Sequence, residues 1–156
     1  VKKVILTIGI CGSGKSFYID EHYKGCKVIS NDHIVEEYAA EYGINYSQAF
    51  HRLDRKTVVD EVNKRLDYAI KTEDVVIIDN THMSKKVRNK YLCKFNKEWE
   101  KIAVVFKVAD DVLKSRLSKR EAETGKHIPE NVLSDMLRSY QEPDEDEFDQ
   151  VIYVTA

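Results

Sequence analysis

Residues Gly9 to Ser16 read GICGSGKS, with glycine at the first and sixth positions followed by lysine and serine. That spacing is the signature of a loop whose backbone N–H groups wrap around phosphate oxygens. Gly9, Gly12 and Gly14 allow backbone conformations that a side chain would block, and Ser13 is part of the same cradle. Lys15 is placed to contact the outer phosphates and Ser16 to offer a hydroxyl to Mg²⁺, so ATP with Mg²⁺ is the expected ligand pair. Cys11 fills a free position of the loop and reads as a small tolerated side chain rather than a redox group.

Three further stretches carry chemistry. In VVIIDNTH, Asp79 ends an apolar run and is read either as the acid that holds Mg²⁺ or its water shell, or as a carboxylate capping a helix or orienting a neighbour. Asn80, Thr81 and His82 extend from the same place, as contacts or as turn formers. In VISNDH, Asp32 has two readings, a carboxylate that orients an acceptor hydroxyl and takes its proton, or a helix cap. In LKSRLSKREAETGKH, Arg116 and Arg120 are four apart and share a helix face beside Lys114 and Lys119. Such a cluster is either a lid that brings positive charge to a transferring phosphoryl group or a solvated face.

The bulk composition is less specific. Lys and Arg number 25 against 27 Asp and Glu over 156 residues, a formal charge of −2, which shows no overall affinity for nucleic acid or membrane. The distribution is uneven: Ser84 to Lys126 holds 13 basic and 6 acidic residues, whereas Glu142 to Asp149 holds six acids and no base. Each block reads as a solvated face or as a polyanion-binding feature. Three cysteines without C-x-x-C spacing suit a reducing cytoplasm. No apolar run approaches the roughly 18 residues of a membrane span, and the opening VKKVILTIGI leads directly into the phosphate loop rather than reading as a signal. The five histidines show no metal-ligand spacing.

These residues need elements to hold them. Val4 to Gly9, Cys26 to Ser30, Asp74 to Asp79, Ile102 to Val108 and Asp149 to Val154 are short β-branched runs that read as buried strands. Helices are expected over 15–23, 32–42, 47–71, 84–96, 110–121 and 129–140. The longest is expected to start at Ser47 as N-cap, with Phe50, Leu53, Val58, Val62, Leu66 and Ile70 on one face. Strands separated by helices imply one domain over 1–156 built on a parallel, helix-covered α/β sheet. Ligands bind such sheets beyond the carboxyl ends of the strands, where all four stretches fall.

Taken together, ILTIGICGSGKS, VISNDH, IIDNTH and RLSKRE resemble the 5′-kinase domain of the polynucleotide kinase family in order and spacing over nearly the whole chain. The resemblance implies a P-loop NTPase fold of adenylate-kinase-like type, a five-stranded parallel sheet sandwiched by helices with a helical lid. It implies transfer of the γ-phosphate of ATP to the 5′-hydroxyl end of DNA or RNA. Asp32 would be the general base, Lys15 and Ser16 would serve ATP and Mg²⁺, and Arg120 would be the lid arginine, supported by Arg116. Asp79, with Asn80 and Thr81, would line the acceptor side, and Arg88 from the basic stretch is a candidate contact to acceptor phosphate. Two departures stand out: Val35 occupies the place of an arginine that holds acceptor phosphate in phage-type members, and Asn31 replaces a basic residue. Lacking the D-x-D-x-T stretch of the phosphatase partner domain, the chain reads as kinase-only, leaving a place for a separate ligase or phosphatase. A P-loop kinase of a nucleoside or sugar, and a non-catalytic nucleotide-binding regulator, are the other readings.

Overall fold

In the computed structural model, which describes residues 1–10 and 12–155, the β-branched runs become a five-stranded sheet. The strands are β1 (Lys2–Ile8), β2 (Lys27–Ile29), β3 (Val75–Asp79), β4 (Trp99–Lys107) and β5 (Gln150–Thr155). Their order is β2-β3-β1-β4-β5 and every neighbouring pair is parallel. Between them run α1 (Lys15–His22), α2 (Asn31–Tyr42), α3 (Tyr46–Arg52), α4 (Arg55–Thr72), α5 (Lys85–Leu92), α6 (Asp110–Thr124) and α7 (Glu130–Ser139). Cys11 lies outside the described residues.

Strand alternation sends successive side chains to opposite faces. Val4, Leu6, Ile8, Val76 and Ile78 pack on one face with Val62 and Leu66 of α4 and Leu92 of α5. Ile5, Ile77, Val104 and Phe106 pack on the other with Ile19 of α1. The helices that follow the adjacent strands β1 and β3 therefore cover opposite faces. Their divergence opens a crevice at the carboxyl ends of those two strands, the switch point where such sheets bind ligands. The register fixes what meets there, because Thr7 of β1 pairs with Asp79 of β3.

The single helix expected over 47–71 is two. Leu53 takes extended backbone, ψ 132°, and the Asp54 side chain accepts a hydrogen bond from Lys56 N to begin α4. Val58, Val62 and Leu66 are buried as the periodicity requires, but the break turns Phe50 outward, 59% exposed. Asn45, not Ser47, caps α3 through a capping box with Gln48, and the Ser47 hydroxyl donates instead to Gly125 O at 2.8 Å. β4 begins earlier than its β-branched run, at Trp99, whose buried ring packs edge-on against Phe95.

The two blocks of charge meet. Lys85 pairs with Asp144 at 2.6 Å, Lys107 with Glu142 at 3.3 Å, and Arg88 with Glu147 at 2.7 Å. The acidic stretch is thus laid along the start of α5 and the end of β4 rather than left as a solvated tail. No helix among the described residues is long and apolar enough to cross a membrane.

Candidate active site

The loop after β1 takes the form its glycines predict. Gly12 and Gly14 have φ of 84° and 97°, in the left-handed region that glycine alone enters without strain. A Cβ on Gly9 would stand 2.8 Å from Ser13 Oγ and 3.0 Å from Phe106 Cβ, so that position has no room for a side chain. The loop feeds directly into α1, whose first turn presents unpaired N–H groups and a partial positive charge. Lys15 Nζ donates to Gly9 O at 2.9 Å and Asn80 O at 3.4 Å, spanning the crevice from β1 to β3. Among the described residues the buried Ser13 Oγ has no hydrogen-bond partner, which fits a cradle completed by phosphate oxygens. Ser16 is exposed one residue beyond Lys15, with its hydroxyl available to Mg²⁺ held by the same phosphates.

The turn after β3 ties the strand ends together. Asp79 Oδ1 accepts from Thr7 Oγ1 at 2.8 Å, Asn80 Oδ1 from Asn31 N at 2.9 Å, and Thr81 O from Gly9 N at 3.1 Å. His82 lies at φ 50°, and its buried Nδ1 donates to Thr7 O at 2.6 Å. Burial pushes the imidazole down to about 3, against the opposing Thr7 bond, so the ring is neutral. Asn80 and His82 are therefore turn-holding residues in large part: the Asn80 amide also reaches Tyr91 OH at 3.5 Å. Asp79 is half-buried at the mouth of the crevice, and among the described residues no cluster of three acidic, His or Cys ligands accompanies it. One carboxylate and one hydroxyl fit a Mg²⁺ that keeps phosphate and water ligands.

For Asp32 the geometry separates the two readings. Ser30 is the N-cap of α2, accepting from His33 N at 3.0 Å, so the Asp32 carboxylate is not the cap. Its Oδ1 accepts from Tyr46 OH at 2.5 Å and its Oδ2 from Lys126 Nζ at 2.6 Å. Burial raises its pKa, but the charge and hydrogen bond of Lys126, the bond of Tyr46 and the charge of Lys15 outweigh burial and hold it below the usual carboxylate range. Asp32 is therefore an anion within the electrostatic reach of the phosphate-loop lysine. Lys126 and Tyr46 were not legible as site residues: one follows the glycine that ends α6, and the other is the first residue of α3.

The helix α6 lies over the phosphate loop. Leu117 and Leu113 crowd Gly12, where a Cβ would meet them at 3.1 and 3.3 Å. Arg116 Nη1 donates to Gly12 O at 3.3 Å and lies beside Gly14. Of the two α6 arginines, Arg116 is the one that reaches the loop; Arg120, one turn on, is half-buried, and its carbonyl accepts from Thr124.

Arg88 corrects an expectation. It is wholly buried, with Nε and Nη2 on Glu147 at 2.7 and 3.0 Å and Nη1 on the carbonyls of His82 and Met83 at 3.0 and 3.2 Å. Those bonds leave no face for acceptor phosphate, and its work is to anchor the turn after β3. Val35 is also buried, with Ala39 and Ala49 between α2 and α3, so the place of the missing arginine is core and not groove.

Solved structures that match this architecture include kinases and a repair assembly. A sugar kinase from Janibacter sp. superposes with TM-score 0.63 at 19% identity, over 99% of this chain and 86% of its own. A gluconokinase from Sinorhizobium meliloti gives TM-score 0.58 at 18% identity, over 98% and 82%. A chain of the Pnkp1/Rnl/Hen1 RNA repair complex gives TM-score 0.68 at 20% identity, over 88% of this chain and 43% of that one. At these identities the likeness establishes fold alone. No curated protein matched the sequence. The family model for the AAA domain matches residues 4–143, which include the phosphate loop, the turn after β3 and the lid helix. With that match over most of the chain, a five-stranded parallel sheet and the loop seated at its switch point, the chain belongs to the AAA domain family and has a P-loop kinase-like fold.

Proposed function

We propose that the protein transfers the γ-phosphate of ATP to a hydroxyl, and that the acceptor is the 5′-hydroxyl end of a polynucleotide. The observation that carries the transfer reading is Asp32. It is a charged carboxylate, released from capping by Ser30 and within the field of Lys15. A binding module needs Lys15 and the loop but has no use for a proton acceptor beside them.

In this reading Lys15 and the loop hold the triphosphate, and Arg116 and Arg120 stand on the lid side against the charge that spreads over the transferring group. Bound through Ser16 and Asp79, Mg²⁺ would supply neutralisation of phosphate charge. Asp32 accepts the proton of the acceptor hydroxyl as the new oxygen–phosphorus bond forms and the bond to the β-phosphate oxygen breaks, with ADP leaving. The nucleic-acid acceptor rests on the joint order of the loop, SNDH, DNTH and lid motifs, and on the repair-complex neighbour. A small polyol acceptor is the second reading, favoured by the burial of Arg88 and Val35 and by the sugar and gluconate kinases among the neighbours.

The test is transfer of label from γ-labelled ATP to a 5′-hydroxyl oligonucleotide, beside a 5′-phosphorylated control and a panel of sugars, sugar acids and nucleosides. Label on the 5′-hydroxyl strand alone, falling at least about 100-fold in Asp32→Asn with ATP affinity retained, is the expected result. Label confined to one small molecule moves the protein to the second reading. Undiminished transfer in Asp32→Asn removes Asp32 as base.

A further inference from the structure

A lysine that the sequence does not single out is the most completely buried cation near the crevice apart from Arg88. The Lys126 side chain is 7% exposed, while the Asp32 side chain it bonds is 44% exposed. Its ammonium is 2.6 Å from Asp32 Oδ2 and 4.4 Å from the centre of the Tyr46 ring, whose hydroxyl holds the other Asp32 oxygen at 2.5 Å. A buried ammonium costs several kcal/mol unless it is paired, so this lysine and this aspartate are bound to each other's presence.

The backbone around Lys126 explains why it can reach. Gly125 ends α6 at φ 73°, and the chain there approaches α3 so closely that a Cβ would lie 3.3 Å from Asn45 Cβ. Ser47 Oγ donates to Gly125 O at 2.8 Å and accepts from His127 N at 3.5 Å. The end of the lid helix is therefore docked on the first turn of α3, with Lys126 inserted beneath it toward Asp32. A carboxylate offers about four lone-pair sites, and two donors leave room on its open side for an acceptor hydroxyl.

Building on the reading of Asp32 as proton acceptor, we propose that Lys126 is a positioning residue: carried by the end of the lid helix, its ammonium clamps and charges Asp32, so the base is aimed only while the lid is docked on α3. The groups that face Asp32 are Lys126 after α6, Tyr46 on α3 and Lys15 on α1. Burial is the largest single influence on the carboxyl and works against ionisation, and Lys126 is first among the groups that overcome it. Without that ammonium, Tyr46 and Lys15 are the groups among the described residues left to oppose burial.

The experiment compares wild type, Lys126→Met, Lys126→Gln and Lys126→Arg, each checked for a cooperative unfolding transition. The Asp32 carboxyl is titrated by carbon NMR, its signal assigned by its loss in Asp32→Asn, and kcat for phosphoryl transfer is measured from pH 5 to 8.5. The proposal expects the Asp32 midpoint to rise by about 1 to 3 pH units in Lys126→Met and Lys126→Gln. It also expects an acid limb to enter the kcat profile, with the ATP KM held within about threefold, and Lys126→Arg to restore the wild-type midpoint. A midpoint that stays put, or a kcat that falls equally at every pH, overturns it. The two readings fail separately. If Asp32→Asn transfers normally, the base reading falls. A midpoint that moves in a protein without nucleic-acid kinase activity keeps the clamp and discards the acceptor.

Discussion

The ring of His82 is held at positive φ, buried, with one nitrogen on Thr7 O and the other without a partner among the described residues. Its folded pKa of about 3 is below the ordinary value of 6.5, so the unfolded chain takes up the proton first. The stability that the neutral ring contributes is present above pH 6.5 and is lost as pH falls toward 3, at about 1.4 kcal/mol per unit. His82→Asn, which tolerates the left-handed backbone, removes that term. The stability gap between wild type and this variant is expected to narrow by about 2 kcal/mol between pH 6.5 and 5, read from urea midpoints. At this scale the glycine positions of the phosphate loop were legible, because glycines at that spacing before lysine and serine have one common physical use. Asp32 was legible as a carboxylate beyond a strand. Its partners were not, because Tyr46 and Lys126 reach it from segments 14 and 94 residues away, and no local spacing announces such a contact.

Strands and helices were read where burial on both faces or on one stripe writes a period into the sequence, and all five strands stand where β-branched runs placed them, within a few residues. The break between α3 and α4 escaped because Phe50 and Leu53 continue the helical period while the backbone of Leu53 turns extended and Asp54 restarts the helix. That difference has a measurable consequence. Leu66→Ala on α4, fully buried against the sheet, is expected to cost about 2–5 kcal/mol. Phe50→Ser, on the exposed side of α3, is expected to change stability by no more than about 0.5 kcal/mol. A single amphipathic helix would make both costly, so denaturant unfolding of the two variants separates the arrangements. The break also frees α3 to turn its first residues toward the lid, which is how Tyr46 and Ser47 come to meet Asp32 and Gly125.

Across the whole molecule, a formal charge of −2 conceals two blocks that find each other on folding. Arg88 is the deepest part of that contact, with its guanidinium bidentate on Glu147 and the peptide carbonyls of His82 and Met83 as its other acceptors. Removing one partner strands the other in the interior, so Arg88→Met is expected to lose about 3–5 kcal/mol, and Arg88→Met with Glu147→Leu to recover most of it. Chemical denaturation of the single and double variants checks this; an additive double variant removes the pair as a coupled unit. The sequence showed both blocks but not their pairing, which depends on β5 lying beside β4 and bringing residues 142–149 back to α5. The acidic segment is in effect a tethered ligand for the start of α5, at an effective concentration on the order of millimolar. A polyanion in free solution competes with this resident acidic segment for Lys85, which disfavours weak, indiscriminate polyanions on this face.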